Sequence, residues 1–121
     1  MKKPTQLNKY TSDAIHGVKD AIDLQPFGKK NIMELALDAG IGRNLLQRGF
    51  KHLFGSRVNE YQKKKRMEAA IVILDEGHYT IQQVASKCGY RSQSSFTRAF
   101  KDIYSITPSE WQNREDPQPL L

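Results

Sequence analysis

The chain has 121 residues, 38% of them hydrophobic and 26% charged, with a formal charge of +6. That length suits one domain's worth of core, and the ordinary apolar content places the excess charge on a globular body and excludes a disordered polycation. A single cysteine, Cys88, excludes an internal disulfide and offers no metal-ligand spacing, and no apolar run approaches the roughly 20 residues of a membrane span, so the composition points to a soluble cytoplasmic protein with a polyanionic partner and no cofactor.

Hydrophobic period and capping signals predict an all-α chain of about seven helices. The first is expected over about 13–24 behind a Ser12 cap, burying Ala14, Val18, Ala21 and Ile22. A second opens at the capping box of residues 31–34 and stops at Gly40, and a third runs over 43–54 until Gly55 ends it. The fourth, about 57–76, is near 30 Å long at roughly 1.5 Å per residue and packs along Met67, Ala70, Ile71 and Leu74. Thr80 and Gln83 frame another capping box before a short helix that ends at Gly89. The sixth helix lies behind Ser92, over about 93–104, and the last opens with Thr107, Pro108, Ser109 and Glu110, a capping box with proline at the first helical position. After Trp111 little remains to bury and the end should fray. Residues 1–30 therefore read as an N-terminal extension with one helix, 31–113 as the working domain (31–55, 56–77 and 78–113 in turn), and 114–121 as a flexible tail.

The chain also contains a copy of itself. Ile32, Leu35, Ala36 and Gly40 return 49 positions later as Ile81, Val84, Ala85 and Gly89. Beyond the glycine the offset becomes 50, pairing Leu46 with Phe96, Arg48 with Arg98, Phe50 with Phe100, Lys51 with Lys101, Phe54 with Tyr104, Glu60 with Glu110 and Tyr61 with Trp111. Each copy is a short helix, a tight glycine turn and a longer helix, with a small alanine where the two helices cross. That is a helix-turn-helix arrangement, here in two subdomains joined by a long linker helix.

In the two longer helices Leu46, Phe50 and Leu53, and Phe96, Phe100 and Ile103, form the apolar stripes. The opposite faces carry Asn44, Gln47, Arg48 and Lys51 in one and Ser94, Thr97, Arg98 and Lys101 in the other. A merely solvated face has no use for short hydroxyls that compete with the backbone for hydrogen bonds. Base edges do: arginine grips guanine through two hydrogen bonds, glutamine or asparagine does the same for adenine, and threonine offers a hydroxyl and a methyl. Between positions 43 and 66 eight Lys or Arg residues stand against one acid, Glu60, so the middle of the chain should meet the polyanion. Arg43, Lys51, Arg91, Lys101 and Lys63 are the candidates for phosphate contact. His16, His52 and His78 are scattered and no carboxylates pair on a helix face, which argues against an enzyme. Charge alone would also fit a non-specific nucleic-acid or nucleoid-type binder, the main alternative.

The segment "IQQVASKCGYRSQSSFTRAFKDIYSITPSEW", with "LLQRGFKHLFG" and "YQKKKRMEAAIVIL" before it, resembles the DNA-binding domain of AraC/XylS-type bacterial transcription regulators over about residues 31–113. The resemblance implies a tandem helix-turn-helix that inserts two recognition helices, about 43–54 and 93–104, into adjacent major grooves of an asymmetric double-stranded operator. It assigns base contact to Asn44, Gln47 and Arg48 and to Gln93, Ser94, Thr97 and Arg98. Contact with RNA polymerase is compatible with it, and the separate effector or dimerisation domain common in the family has no room here. Three positions depart from the pattern. Gly42 stands where a serine or threonine usually caps the first recognition helix, Gly49 lies inside that helix at a cost of about 1 kcal/mol, and Ser105 replaces the usual glycine before the Thr-Pro motif. On this reading the first reader is looser than the second.

Overall fold

Capping chemistry sets where the helices begin, and the computed structural model, which describes residues 7–114, places seven of them: α1 (Lys9–Leu24), α2 (Ile32–Ala39), α3 (Arg43–Phe54), α4 (Val58–Glu76), α5 (Ile81–Lys87), α6 (Gln93–Tyr104) and α7 (Pro108–Gln112). No strand occurs among the described residues. Reciprocal capping boxes open α2 at Asn31 and Glu34, α5 at Thr80 and Gln83, and α7 at Thr107 and Glu110. The chain forms two compact units that divide within α4, between Lys65 and Arg66.

The first helix differs from its expected form in both start and face. Asn8, not Ser12, is the cap: its side-chain oxygen accepts from the Thr11 N–H at 2.8 Å, so the helix begins at Lys9. The buried face is Thr11, Ile15, Val18 and Ile22, while Ala21 is exposed and Ala14 only half-buried. Branched side chains remove more apolar surface from water than alanines do, at roughly 0.8 kcal/mol per buried CH₂, and they decide which face turns inward.

α1 is therefore not an appendage. Ile15, Val18 and Ile22 share one core with Leu35, Ala36, Leu46, Phe50 and Val58, and that core is the first unit. In the second unit the buried residues are Met67, Ala70, Ile71 and Leu74 of α4, Val84, Ala85 and Cys88, Phe96 and Phe100 of α6, and Trp111. The internal repeat thus extends further toward the N-terminus than residue 31. Ile15, Val18, Ile22 and Asp23 of α1 correspond to Met67, Ala70, Leu74 and Asp75 of α4 at an offset of 52. At the other end Arg114, expected to open a flexible tail, is held: its guanidinium donates to the Trp111 carbonyl at 2.6 Å and to Asp75 at 3.2 Å. Residues 115–121 of that expected tail lie outside the described residues.

The turns repeat in detail. Gly40 and Gly89 adopt left-handed backbone (φ 72° and 84°), and the residue after each, Ile41 or Tyr90, donates its N–H to the carbonyl of Ala36 or Ala85 at 3.1 and 3.0 Å. Both recognition-type helices end alike, with Gly55 (φ 77°) and Ser105 (φ 66°) donating to Lys51 and Lys101 at 2.8 Å. Ser105 thus takes the glycine conformation without being glycine, at a cost of roughly 1–2 kcal/mol.

Gly49 has a role that the expectation of a loose first reader overlooked. It is buried, and a Cβ there would sit 2.3 Å from Cδ1 of Ile15 and 3.3 Å from Cδ2 of Leu7. The glycine lets α1 approach α3, so its poor helix propensity is offset by packing. Overfilling a packed site costs about 1–3 kcal/mol against the roughly 1 kcal/mol that alanine gains in a helix. Gly49→Ala should consequently lower the thermal midpoint. Ser105→Gly should raise stability by about 0.5–1 kcal/mol, because relief of the left-handed strain exceeds the entropy of a more flexible unfolded chain. Thermal and urea unfolding of both variants measures the two signs.

Candidate nucleic-acid interface

Burying Leu46 and Phe50 fixes the roll of α3, and the side chains turned outward are Arg43, Asn44, Gln47, Arg48 and Lys51, all exposed. α3 contains no acid, and none of these side chains has a hydrogen-bond or ion-pair partner among the described residues. In α6 the burial of Phe96 and Phe100 turns Gln93, Ser94, Arg98 and Lys101 outward, with Arg91 exposed just before the helix; Thr97 is half-buried at the edge of the face. The Lys101 charge lies close enough to Glu110 to help hold that carboxyl below its ordinary value, after the larger effect of the hydrogen bonds from Thr107. Lys63, also expected at phosphate, is half-buried on α4 and already engaged in an intramolecular interaction.

The two helices begin differently. Ser92 caps α6, its hydroxyl accepting from the Ser95 N–H at 3.1 Å, whereas Gly42 gives α3 no side-chain cap. Beside α3 lies an open groove of about 620 Å³ in the first unit, lined by Gln47, Arg48 and Lys51 of α3 and by Arg57, Asn59 and Gln62 at the start of α4. Three cations and several amides line it, and no carboxylate does. Such a surface suits phosphate oxygens, which take charge-assisted hydrogen bonds from arginine and lysine. The sequence reading missed Arg57 and Asn59. Arg57 was visible only as one charge in the basic middle of the chain, since its place beside Lys51 depends on the tight turn at Gly55.

A family model described as a helix-turn-helix domain matches residues 35–114. Regulatory protein SoxS of Escherichia coli (strain K12) is 31% identical over 106 residues, which cover 88% of this chain and 95% of SoxS. The chain belongs to the AraC-type helix-turn-helix family. Its fold is shared by an AraC-type DNA-binding-domain regulator from Chromobacterium violaceum, with a TM-score of 0.76 at 20% identity over 90% of this chain and 100% of that one. The DNA-binding domain of AdpA, a global transcriptional factor solved with a target DNA, has a TM-score of 0.76 at 22% identity over 82% of this chain and 89% of that one. The chain spans 34%, 27% and 64% of the length of three other curated regulators that it matches.

Behind each recognition-type helix of this AraC-type chain stands an aromatic brace. Phe50 contacts Phe54 and Tyr61 at ring-centroid distances of 4.8 and 5.4 Å, and Phe100 contacts Tyr104 and Trp111 at 4.8 and 6.3 Å. The polar tip of each last ring donates to an aspartate: Tyr61 Oη to Asp23 at 2.5 Å, and Trp111 Nε1 to Asp75 at 2.9 Å. A cation accompanies each pair, Lys19 at 3.0 Å from Asp23 and Arg114 stacked 3.8 Å from the Trp111 ring centre. Partial burial pushes Asp23 upward, but the bonds from Tyr61 and Lys19 and the charge of Lys65 outweigh it and hold the carboxyl below its ordinary value. Burial and then Asp23 push the Tyr61 phenol up. Among the described residues no cluster of His, Cys, Asp and Glu could hold a metal ion, and burial raises the Cys88 thiol to about 11, far from a reactive thiolate.

Because the native pKa of Asp23 is depressed, its contribution to stability is full above the ordinary carboxylate value of about 3.9 and is lost as pH falls through the lower native value. Asp23→Asn should therefore flatten the acid limb of a plot of thermal midpoint against pH. Parallel limbs for variant and parent below about pH 4 would show that Asp23 carries no such linkage.

Proposed function

We propose that the chain is a sequence-specific regulator of transcription that acts in the bacterial cytoplasm on double-stranded DNA, reading bases in the major groove with α3 and α6. The observation that carries this reading is the pair of outward faces, Asn44, Gln47, Arg48 and Lys51 on α3 and Ser94, Thr97, Arg98 and Lys101 on α6. They stand at matching positions of two repeated helix-turn-helix units on a protein of charge +6. In this assignment Asn44, Gln47, Arg48, Gln93, Ser94, Thr97 and Arg98 address base edges. Arg43, Lys51, Lys63, Arg91 and Lys101 address phosphates, and Arg57 joins them through the groove beside α3. The DNA-binding domain of AdpA, solved in complex with a target DNA, supports the same class of partner. The regulator's effect on RNA polymerase follows from occupying a site near a promoter, by contact or by obstruction.

Two copies that follow one another in a single chain impose no two-fold symmetry, so the operator is asymmetric and covers two major-groove segments about one helical turn apart. Selection from a random duplex pool followed by footprinting of one monomer should return such a site. A footprint of about five base pairs, or a strictly palindromic site occupied only by dimers, contradicts it. On the selected duplex Gln47→Ala should cost roughly 1–3 kcal/mol and on random duplex almost nothing. Arg57→Gln should weaken binding to every duplex by a similar factor and lower the salt slope by about one unit. Equal losses on specific and random DNA for Gln47→Ala would favour a non-specific binder instead.

A further inference from the structure

α1 has two apolar stripes, and the fold uses one. Thr11, Ile15, Val18 and Ile22 face the core, whereas Tyr10, Ala14, Gly17, Ala21 and Leu24 recur at spacings of four, three, four and three residues, the heptad period of a helix that pairs with another helix. Tyr10 is 68% and Leu24 82% exposed. Along the middle of this stripe runs an apolar groove of about 520 Å³ between α1 and α2, floored by Val18, Ile22 and Leu35 and walled by Ala14, Ala21 and Ala39. Gly17 lies within it with nothing inside 4 Å of where its Cβ would be. Gly49 is glycine because Ile15 presses on it; no contact within the described chain asks the same of Gly17. From Tyr10 to Leu24 the stripe is about 21 Å long at 1.5 Å per residue, the length of three to four helical turns and longer than a small ligand needs.

The rim defines the occupant. Within the groove Lys30 and Asp38 pair at 2.5 Å and offset each other, whereas the exposed Asp13 and Asp20, outside its lining, follow the stripe by helical period on the side away from α2. Asp13 has only the exposed Lys9 at 3.7 Å, and Asp20 has no ion-pair partner among the described residues. This carboxylate edge, on a protein of charge +6, repels nucleic acid, and a second copy pairing through the same stripe would bring two Asp13–Asp20 edges to one seam. At the corresponding place in the second unit, 52 positions on, Ala14 is replaced by Arg66, whose guanidinium lies over the Tyr90 ring. The open groove belongs to the first unit. We infer that the groove between α1 and α2 is the docking site for an amphipathic helix of a partner protein, with an apolar stripe that seats on Ala14, Gly17 and Ala21 and lysines or arginines that meet Asp13 and Asp20.

The test uses the full chain and two synthetic 21-residue helices with leucine and alanine at the apolar heptad positions, one flanked by lysines and its twin by glutamates. The lysine helix should bind at least tenfold more tightly, with amide shifts centred on Ala14, Gly17, Ala21 and Leu24. Gly17→Gln fills open space on a helix and should raise the thermal midpoint by about 4 °C while weakening the lysine helix tenfold or more. Ala21→Gln, also at an exposed position, should give the same loss of binding. Asp13→Lys with Asp20→Lys should invert the preference between the twins. Affinity for the DNA selected above should stay within about twofold in the two uncharged variants, Gly17→Gln and Ala21→Gln, which separates a failure here from a failure of the DNA-binding proposal. The inference is overturned if the twins bind equally, if the amide shifts map elsewhere, or if neither glutamine variant weakens binding. It is also overturned if sedimentation shows that the parent self-associates through a contact that Gly17→Gln abolishes, since the occupant is then a second copy.

Discussion

The carboxylate that receives the polar tip of an aromatic ring packed on a core phenylalanine is the contact around which each unit is assembled. Tyr61 and Trp111 carry their rings against Phe50 and Phe100; the buried Trp111 N–H needs a partner, because an unsatisfied donor away from water costs about 1–3 kcal/mol, and the half-buried Tyr61 hydroxyl makes the equivalent bond nearer the surface. Asp23 and Asp75 supply the acceptors from α1 and from the second half of α4. One requirement therefore ties three elements together: the supporting helix that bears the aspartate, the recognition-type helix that bears the phenylalanine, and the helix start that bears the ring. The outward faces of α3 and α6 inherit their orientation from that tie. Rotating either helix to present other residues would withdraw a phenylalanine with no exposure at all from its core.

What was legible in the sequence follows from how local the signals are. The starts of α2, α5, α6 and α7 are written in a cap and the residue three positions on, and the ends of α2 and α3 in a glycine, so each could be read within four or five residues. The faces of α3 and α6 were legible because bulky aromatics stand on one side only. α1 was not legible in this way. It has two apolar stripes, and the sequence alone does not say whether Ile15 or Ala14 turns inward; a stripe reserved for another surface looks like core until the packing is known. Its start carries two capping residues, Asn8 and Ser12, and the earlier one holds.

Tertiary proximity hid the rest. Gly49 reads as a helix-weakening residue in isolation and becomes a packing residue only when α1 lies against it. The full repeat escaped notice because its offset changes from 52 to 49 to 50, and because Ile15 opposite Met67 or Val18 opposite Ala70 shares size class more than identity. Arg57 and Asn59 were two residues in a basic stretch until the turn at Gly55 brought them beside Lys51. For Gly49 the missing information was a contact between segments far apart in sequence, and for Arg57 and Asn59 it was the path of the turn at Gly55, neither of which a local period or cap encodes.

The two recognition-type helices are consequently unequal, though not in the way that a glycine inside α3 suggested. The body of α3 is fixed by Leu46, Gly49 and Phe50, all buried, as firmly as α6 is fixed by Phe96 and Phe100. The difference sits in the first turn. α6 enters it with the Ser92 hydroxyl on the Ser95 N–H, whereas α3 enters it at Gly42 with no side-chain cap, and its leading residues are Arg43 and Asn44. The first N–H groups of α3 therefore have no side-chain acceptor. In α6 one of them is bound to the Ser92 hydroxyl. The first turn of α6 is thus the better organised of the two. That difference is set by one atom group, the side-chain oxygen present at Ser92 and missing at Gly42.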